Sequence, residues 1–319
     1  MTSCKALGQA GAGGGGIAVL GDLTLDHSSI TNNLADAAVG KATQGSAFGG
    51  GVFSFAPADA ILTLTGSTIS GNVVHAAAGT SYGGGIVGNK VNMKYSTISG
   101  NTASAAAGSG NYGGGGGMVA AYSLFMSDST VDNNKADVGA GILIGANSGF
   151  GTILQSTISS KEATLAVGGI DSGAPLSVGS STIAFNNGGV QGGGILQASG
   201  FDLTLQNSIV ADNAPNDVDG GLSVKGSNNL IKLAGPNATL PAGTITFDPK
   251  LGPLAWNGGA TRTHAIDATS PAFDAADNPL NLPSDQRGSS YYRMVGVAPD
   301  IGAYEFDADH IFGDTFGGL

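Results

Sequence analysis

Short stretches of this chain alternate apolar and polar residues, as in Leu23-Thr24-Leu25, Leu62-Thr63-Leu64 and Leu203-Thr204-Leu205. A period of two is the pattern of a strand with one buried side. The alternation itself recurs. Seven glycine clusters end at Ile17, Val52, Ile86, Met118, Ile142, Ile170 and Ile195. About thirteen residues after each comes an apolar anchor in a Ser-Thr-Ile-like strand, at Ile30, Ile69, Ile98, Val131, Ile158, Ile183 and Val210. Successive glycine-cluster ends and successive anchors lie 24 to 39 residues apart, the spacing of stacked structural repeats. A strand pair this short cannot bury its apolar side alone, so each unit needs a neighbour above and below.

These units read as coils of a parallel β-helix, with three strands and three turns in each. Thr63-Leu64-Thr65-Gly66-Ser67-Thr68-Ile69 supplies two strands around a sharp corner. The glycine cluster leads into the third, whose corner suits positive φ and close backbone approach. Helix is excluded by glycine, which costs about 1 kcal/mol per interior helical position, and by the β-branched Thr, Ile and Val of the strand stretches. The expected fold is all-β: a right-handed parallel β-helix (a solenoid) over residues 13 to 245, with an N-terminal segment 1 to 12, a C-terminal cap 246 to 306 and a tail 307 to 319. Its expected hand rests on the general chirality of parallel crossovers together with the family resemblance of its repeats. At roughly 4.8 Å per coil, seven coils make a rod roughly 34 Å long.

Three residues after the anchor stands an asparagine in six units: Asn33, Asn72, Asn101, Asn134, Asn186 and Asn213. Stacked asparagines can bond coil to coil as an internal ladder at a turn. Lys161 interrupts the series. Thr68, Thr97, Thr130, Thr157 and Thr182 should point outward beside the anchors. A threonine column can order water or ice, but the outward positions beside it are Ser70, Ser99, Asp132, Ser159 and Ala184, so a double threonine file is lacking.

Gly83-Gly84-Gly85-Ile86 with Ile98-Ser99-Gly100-Asn101 resembles the repeats of polymorphic outer-membrane proteins, which are exported right-handed β-helix passengers and adhesins. The resemblance covers about residues 13 to 213. A more specific series follows: Asp248-Pro249-Lys250-Leu251-Gly252-Pro253-Leu254, Asn257-Gly258-Gly259, Thr263-His264-Ala265, Ser270-Pro271-Ala272-Phe273-Asp274, Asp285-Gln286-Arg287-Gly288 and Asp300-Ile301-Gly302-Ala303-Tyr304-Glu305. Together these blocks look like the choice-of-anchor Q domain, which follows β-helix repeats in bacterial surface or exported proteins. The resemblance implies an extracellular or cell-surface location and carries no catalytic residues. The Ala260-Thr261-Arg262-Thr263 segment departs from it, since the family tends to have proline nearby. As a cap, the region would end strands with its prolines and cover the final coil with Trp256, Phe273, Tyr304 and Phe306. In it, Asp285 and Arg287 read as a structural ion pair and His264 as a hydrogen-bonded residue rather than a base.

A formal net charge of −11 argues against nucleic acid and anionic membrane lipid as partners. No apolar run reaches membrane-spanning length. The single cysteine, Cys4, excludes an intrachain disulfide. Met1 to Leu20 lack the pattern of a secretory signal, so export would require a signal upstream or removed. No cofactor is expected, and a monomer is.

Two functional classes remain. Phe48, Tyr82 and Tyr112 each precede a glycine cluster and, with Tyr122, offer flat faces on which sugar rings stack, pointing to polysaccharide or another extracellular surface as the partner. Ala/Gly-rich loops at 34 to 47, 73 to 81 and 102 to 111 should project beside them. The alternative is a polysaccharide lyase or hydrolase working on the flank, with His75, Lys90, Lys94, Tyr95 and Tyr112 supplying charge neutralisation and proton transfer. Asp128, Asp132 and Asp137 form the nearest approach to a calcium set.

Overall fold

The computed structural model describes residues 1–8, 11–37, 45–55, 57–106, 111–146 and 149–308. It is an all-β parallel β-helix with three faces. The anchor face is a sheet of eight parallel strands, in which Ile30, Ile69, Ile98, Val131, Ile158, Ile183 and Val210 sit in one register and Ile231 adds a rung beyond the seven anchors. A second face holds the strand after each glycine cluster and the Leu-Thr-Leu strand, which fuse into single strands at Ile86–Lys94 and Met118–Ser127. The third face holds the strands that follow the asparagines and those that precede the glycines. In the first three coils this face is split by the alanine- and glycine-rich loops. In the fourth, Lys135–Val138 continues without one and joins the two halves. Of the stretches expected as loops, residues 34–36, 73–76 and 102–105 are strand, while 38–44 and 107–110 lie outside the described residues.

Inward side chains of the anchor and second faces make one continuous apolar core along the axis, including Leu62, Ile69, Ile86, Ile98, Met118, Val131, Ile142 and Ile158, while the third face contributes a separate, small-residue cluster that includes Ala35, Val74, Ala103 and Ala136. The glycine corners pass so close to their neighbours that a Cβ at Gly85 would lie 2.5 Å from the Gly117 carbonyl oxygen of the next coil. Asparagine side chains stack as expected, each Nδ2 donating to the next Oδ1: Asn33 to Asn72 at 2.9 Å, Asn72 to Asn101 at 3.0 Å and Asn101 to Asn134 at 3.0 Å. The ladder resumes from Asn186 to Asn213 at 2.8 Å and ends on Asp217. Burial pushes the Asp217 carboxyl up to about 6.

At the break, Lys161 points inward and is almost fully buried. Its Nζ donates to the Val131 carbonyl, the same anchor carbonyl of the preceding coil that Asn134 reaches at Ile98 and Asn186 at Ile158. Burial lowers its pKa to about 7. Lys161 is therefore a structural substitute for asparagine.

A second ladder, unforeseen in the sequence, runs up the other end of the anchor face. The serine of each Ser-Thr-Ile segment accepts a backbone N–H from the preceding coil, as Ser96 does from Ser67 and Ser129 from Ser96. Each also donates to a carbonyl two residues back, Ser96 to Lys94 and Ser129 to Ser127. Corner residues between the second face and the anchor face all adopt left-handed φ: His27, Gly66, Tyr95, Asp128, Gln155, Ser180 and Asn207.

The C-terminal region differs from the expected cap in where it packs. It lies along the anchor face from the fourth coil onward. Tyr304, Ile301, Ile266 and Ala272 form a second core with Ile209, Ala211 and Leu230 of the last coils. Three of the five column threonines are docking points beneath it. Thr130 donates to the Arg262 carbonyl at 2.7 Å, Thr157 to Gln286 Oε1 at 2.6 Å, and Thr182 accepts from the Ala303 N–H at 3.1 Å. A threonine surface for ordering water is thereby reduced to Thr68 and Thr97. Phe273 and Phe306 pack edge to face at 5.9 Å, whereas Trp256 is 67% exposed and borders early coils instead of covering the final one. The tail beyond Ala308 lies outside the described residues.

Candidate functional site

Every repeat places one outward residue directly after its buried glycine-linked anchor, because neighbours on a strand face opposite ways. Along the second face these outward residues are Phe53, Val87, Val119 and Leu143, held in register by the parallel ladder. They form an apolar floor. Its wall comes from the third face, where Phe48 and Tyr82 pair in register and stack with ring centroids 6.1 Å apart and planes 17° apart. Phe53 lies 5.7 Å from Phe48, and Phe55 stacks on Phe53 at 5.7 Å. Phe48, Phe53, Phe55, Tyr82 and the aliphatic floor enclose an open cleft of about 490 Å³. That size accommodates one or two sugar rings.

Tyr112 contributes differently from the expected column. The residue in register with Tyr82 is Gly114, and the Tyr82 ring covers that glycine. Tyr112 swings over the rung to meet Tyr82 edge-on at 6.0 Å, its hydroxyl 3.2 Å from the Tyr82 hydroxyl. Burial, with Tyr112 beside it, pushes the Tyr82 phenol up to about 12, so the Tyr82 hydroxyl keeps its proton for hydrogen bonding. Tyr122 occupies the bulged part of its strand, where the register to the preceding coil shifts, and does not line the cleft. Phe53 and Phe55 were missed in the sequence. The signal was there, since Val52-Phe53-Ser54-Phe55 sets aromatic residues at both outward positions after a glycine cluster.

The residues considered for a lyase do not gather at one point. His75 is on the third face with its Nδ1 3.2 Å from Asp36 of the preceding coil. Lys90 and Lys94 are on the second face, Lys90 paired with Asp59 at 2.7 Å. Tyr95 is at the corner beyond, its ring 4.7 Å from Lys94 Nζ. Tyr112 is with Tyr82, across the third face from none of these lysines.

The three aspartates also separate. Asp132 is buried and held at 2.7 Å by Arg262 of the C-terminal region. Asp137, on the third face, accepts from Thr164 and from the Gly113 N–H. Asp128 is at a corner, where burial raises its pKa, and its carbonyl accepts from Thr261. Among the described residues no group of three or more His, Cys, Asp or Glu is placed to hold a metal ion.

A separate group of charged and polar side chains braces the C-terminal region and its docking, whereas Lys135–Glu162 and Lys225–Asp202 pair within the solenoid. Arg287 forms an ion pair with Asp285 at 2.7 Å, donates to the Glu305 carbonyl and lies over the rings of Tyr291 and Tyr304 at 4.0 and 3.9 Å. His264 is buried between the Gly252 carbonyl and Ser159 Oγ, each 2.7 Å away. The carbonyl can only accept, so Nδ1 carries the proton and Nε2 accepts from the serine. Burial lowers the His264 pKa and keeps this ring neutral. Although a serine beside a histidine resembles a nucleophile and its base, both side chains are sealed beneath the docked region. Thr261 and Arg262 are among the residues by which the region grips the solenoid.

No helix among the described residues is long and apolar enough to cross a membrane. Comparison with protein-family models, curated proteins and solved structures found no match to this chain.

Proposed function

We propose that this is an exported or cell-surface protein that binds polysaccharide through the aromatic cleft on its flank, without cleaving it. The observation that carries the reading is the cleft itself: Phe48, Phe53 and Phe55 of one coil and Tyr82 of the next gather four aromatic rings around about 490 Å³. Ring faces attract the C–H side of a pyranose, and the Tyr82–Tyr112 hydroxyl pair can bond to its hydroxyls. Placement on a stiff ladder means little conformational entropy is lost on binding. The acidic chain disfavours nucleic acid as the partner. The choice-of-anchor resemblance of residues 248 to 305 supports the extracellular location.

Affinity electrophoresis against neutral and uronate polysaccharides tests the reading. At least one should retard the protein, and Phe48→Ala with Tyr82→Ala should weaken binding by tenfold or more, about 1.4 kcal/mol. Unchanged retardation in the double variant would remove the cleft from the reading. Release of reducing ends by the unaltered protein would replace binding with hydrolysis or elimination.

A further inference from the structure

We infer that a second saccharide-binding notch lies at the seam between the early coils and the C-terminal region, with Trp256 as its stacking platform. This site is distinct from the Phe48–Tyr82 cleft. Its cavity of about 340 Å³ lies where the C-terminal region stops covering the anchor face. From the fourth coil upward the corner column is occupied, Asp128 bonding to Thr261, Gln155 to Ser284 and Asn207 to Asp277. Below it, the His27, Gly66 and Tyr95 corners line the open notch.

Three features give the notch its chemistry. Trp256 is 67% exposed and stands in the wall of the notch with Ala260, facing the early-coil corners. Tyr95 holds left-handed backbone at φ 49°, a region that bulky residues seldom adopt. Glycine occupies the same corner one coil earlier, so the fold does not require an aromatic ring there. Beside them, the His27 imidazole lies directly against Gly66, where a Cβ would come within 2.9 Å of it, so the absence of a side chain at this corner lets the His27 ring lie along the notch wall. The floor is the uncovered remainder of the threonine column, Thr68 and Thr97, in register on adjacent strands.

Aromatic walls over a floor of regularly spaced hydroxyls match a sugar ring, which has an apolar C–H face and an equatorial rim of hydroxyls. An anion or a purely aliphatic ligand would use only half of these groups. Lys94 Nζ, 4.7 Å from the Tyr95 ring, and Asp26, 2.8 Å from His27 Nδ1, are the neighbours that brace the two corner rings. The ligand class follows from the notch's own residues and does not depend on the larger cleft.

Trp256 is the only tryptophan in the chain, so its emission reports on this notch alone. The full chain would be titrated with neutral oligohexoses and with oligouronates while fluorescence is followed. Saturable quenching or a blue shift with either class is expected. Tyr95→Gly should weaken that titration at least tenfold while leaving the thermal midpoint unchanged or higher, because glycine suits the left-handed corner. Thr68→Val with Thr97→Val should weaken it as well. Phe48→Ala with Tyr82→Ala should leave it intact, which separates the two sites: a surviving emission change in that variant upholds the notch even if the cleft fails. No emission change with any glycan that retards the protein, or a titration indifferent to Tyr95→Gly, would overturn the inference.

Discussion

Lys161 gives the sharpest test of how the solenoid is built. It occupies an asparagine position, makes the asparagine's bond to the preceding anchor carbonyl through Nζ, and cannot supply an oxygen to the coil below. Elsewhere the asparagine backbone N–H finds that oxygen, as Asn101 does at Asn134, 2.9 Å away. Burial lowers the lysine pKa from 10.5 to about 7, overriding the opposing pull of Asp132. Between those values the native state holds fewer protons than the unfolded chain, so stability rises with pH across the window and the penalty is fully present below it. At about 1.36 kcal/mol per pKa unit, the swing across the window is at most about 5 kcal/mol. Lys161→Asn restores the ladder and removes the titration. Urea denaturation of both proteins from pH 6 to 10.5 should show the variant more stable at low pH, with the advantage shrinking steadily toward high pH. Parallel curves for the two proteins would refute the assignment of a buried, pKa-lowered amine.

Arg262→Ala leaves the fully buried Asp132 carboxylate without its cation and should cost about 3 kcal/mol, read as a lower denaturation midpoint and faster proteolysis of residues 246 to 306. Adding Asp132→Asn to that variant should recover part of the loss, because the stranded charge is then gone. Gly85→Ala and Gly100→Ala separate space from backbone conformation: the first drives a Cβ to 2.5 Å from a carbonyl of the next coil, while the second meets only Gly71 N at 3.9 Å but requires φ of 64°. Gly85→Ala should cost about 2–3 kcal/mol by overpacking, and Gly100→Ala about 1 kcal/mol by left-handed strain. Equal thermal midpoints for the two variants would refute the steric account.

The anchor residues and the asparagine ladder were legible because a coil repeats the same contact at each turn. Once Ile69 and Ile98 are recognised as equivalent, their partners are set by one rung of sheet. The serine ladder was equally periodic and went unread, since serine in a Ser-Thr-Ile strand looks like an ordinary turn residue until its hydroxyl is seen bonding across coils. The cleft was half legible. Phe48 and Tyr82 are in register as expected, but the extra Gly113-Gly114 shifts Tyr112 two residues out of line, and Phe53 and Phe55 reach the cleft from a different face. His75 and Lys94 are close in sequence by coil count, yet they stand on different sheets, because position within a coil decides the face.

By itself the sequence determined the rod: its strands, its inward apolar column, its asparagine corners and its lack of room for side chains at the glycines. Those follow from local alternation and a repeated spacing, which stacking converts directly into neighbours. The tertiary structure alone decided where the C-terminal region lies, and so which threonines are covered and where Trp256 stands. That packing joins residues more than a hundred positions apart, such as Asp132 with Arg262 and Ser159 with His264, through contacts that occur once and leave no period to read.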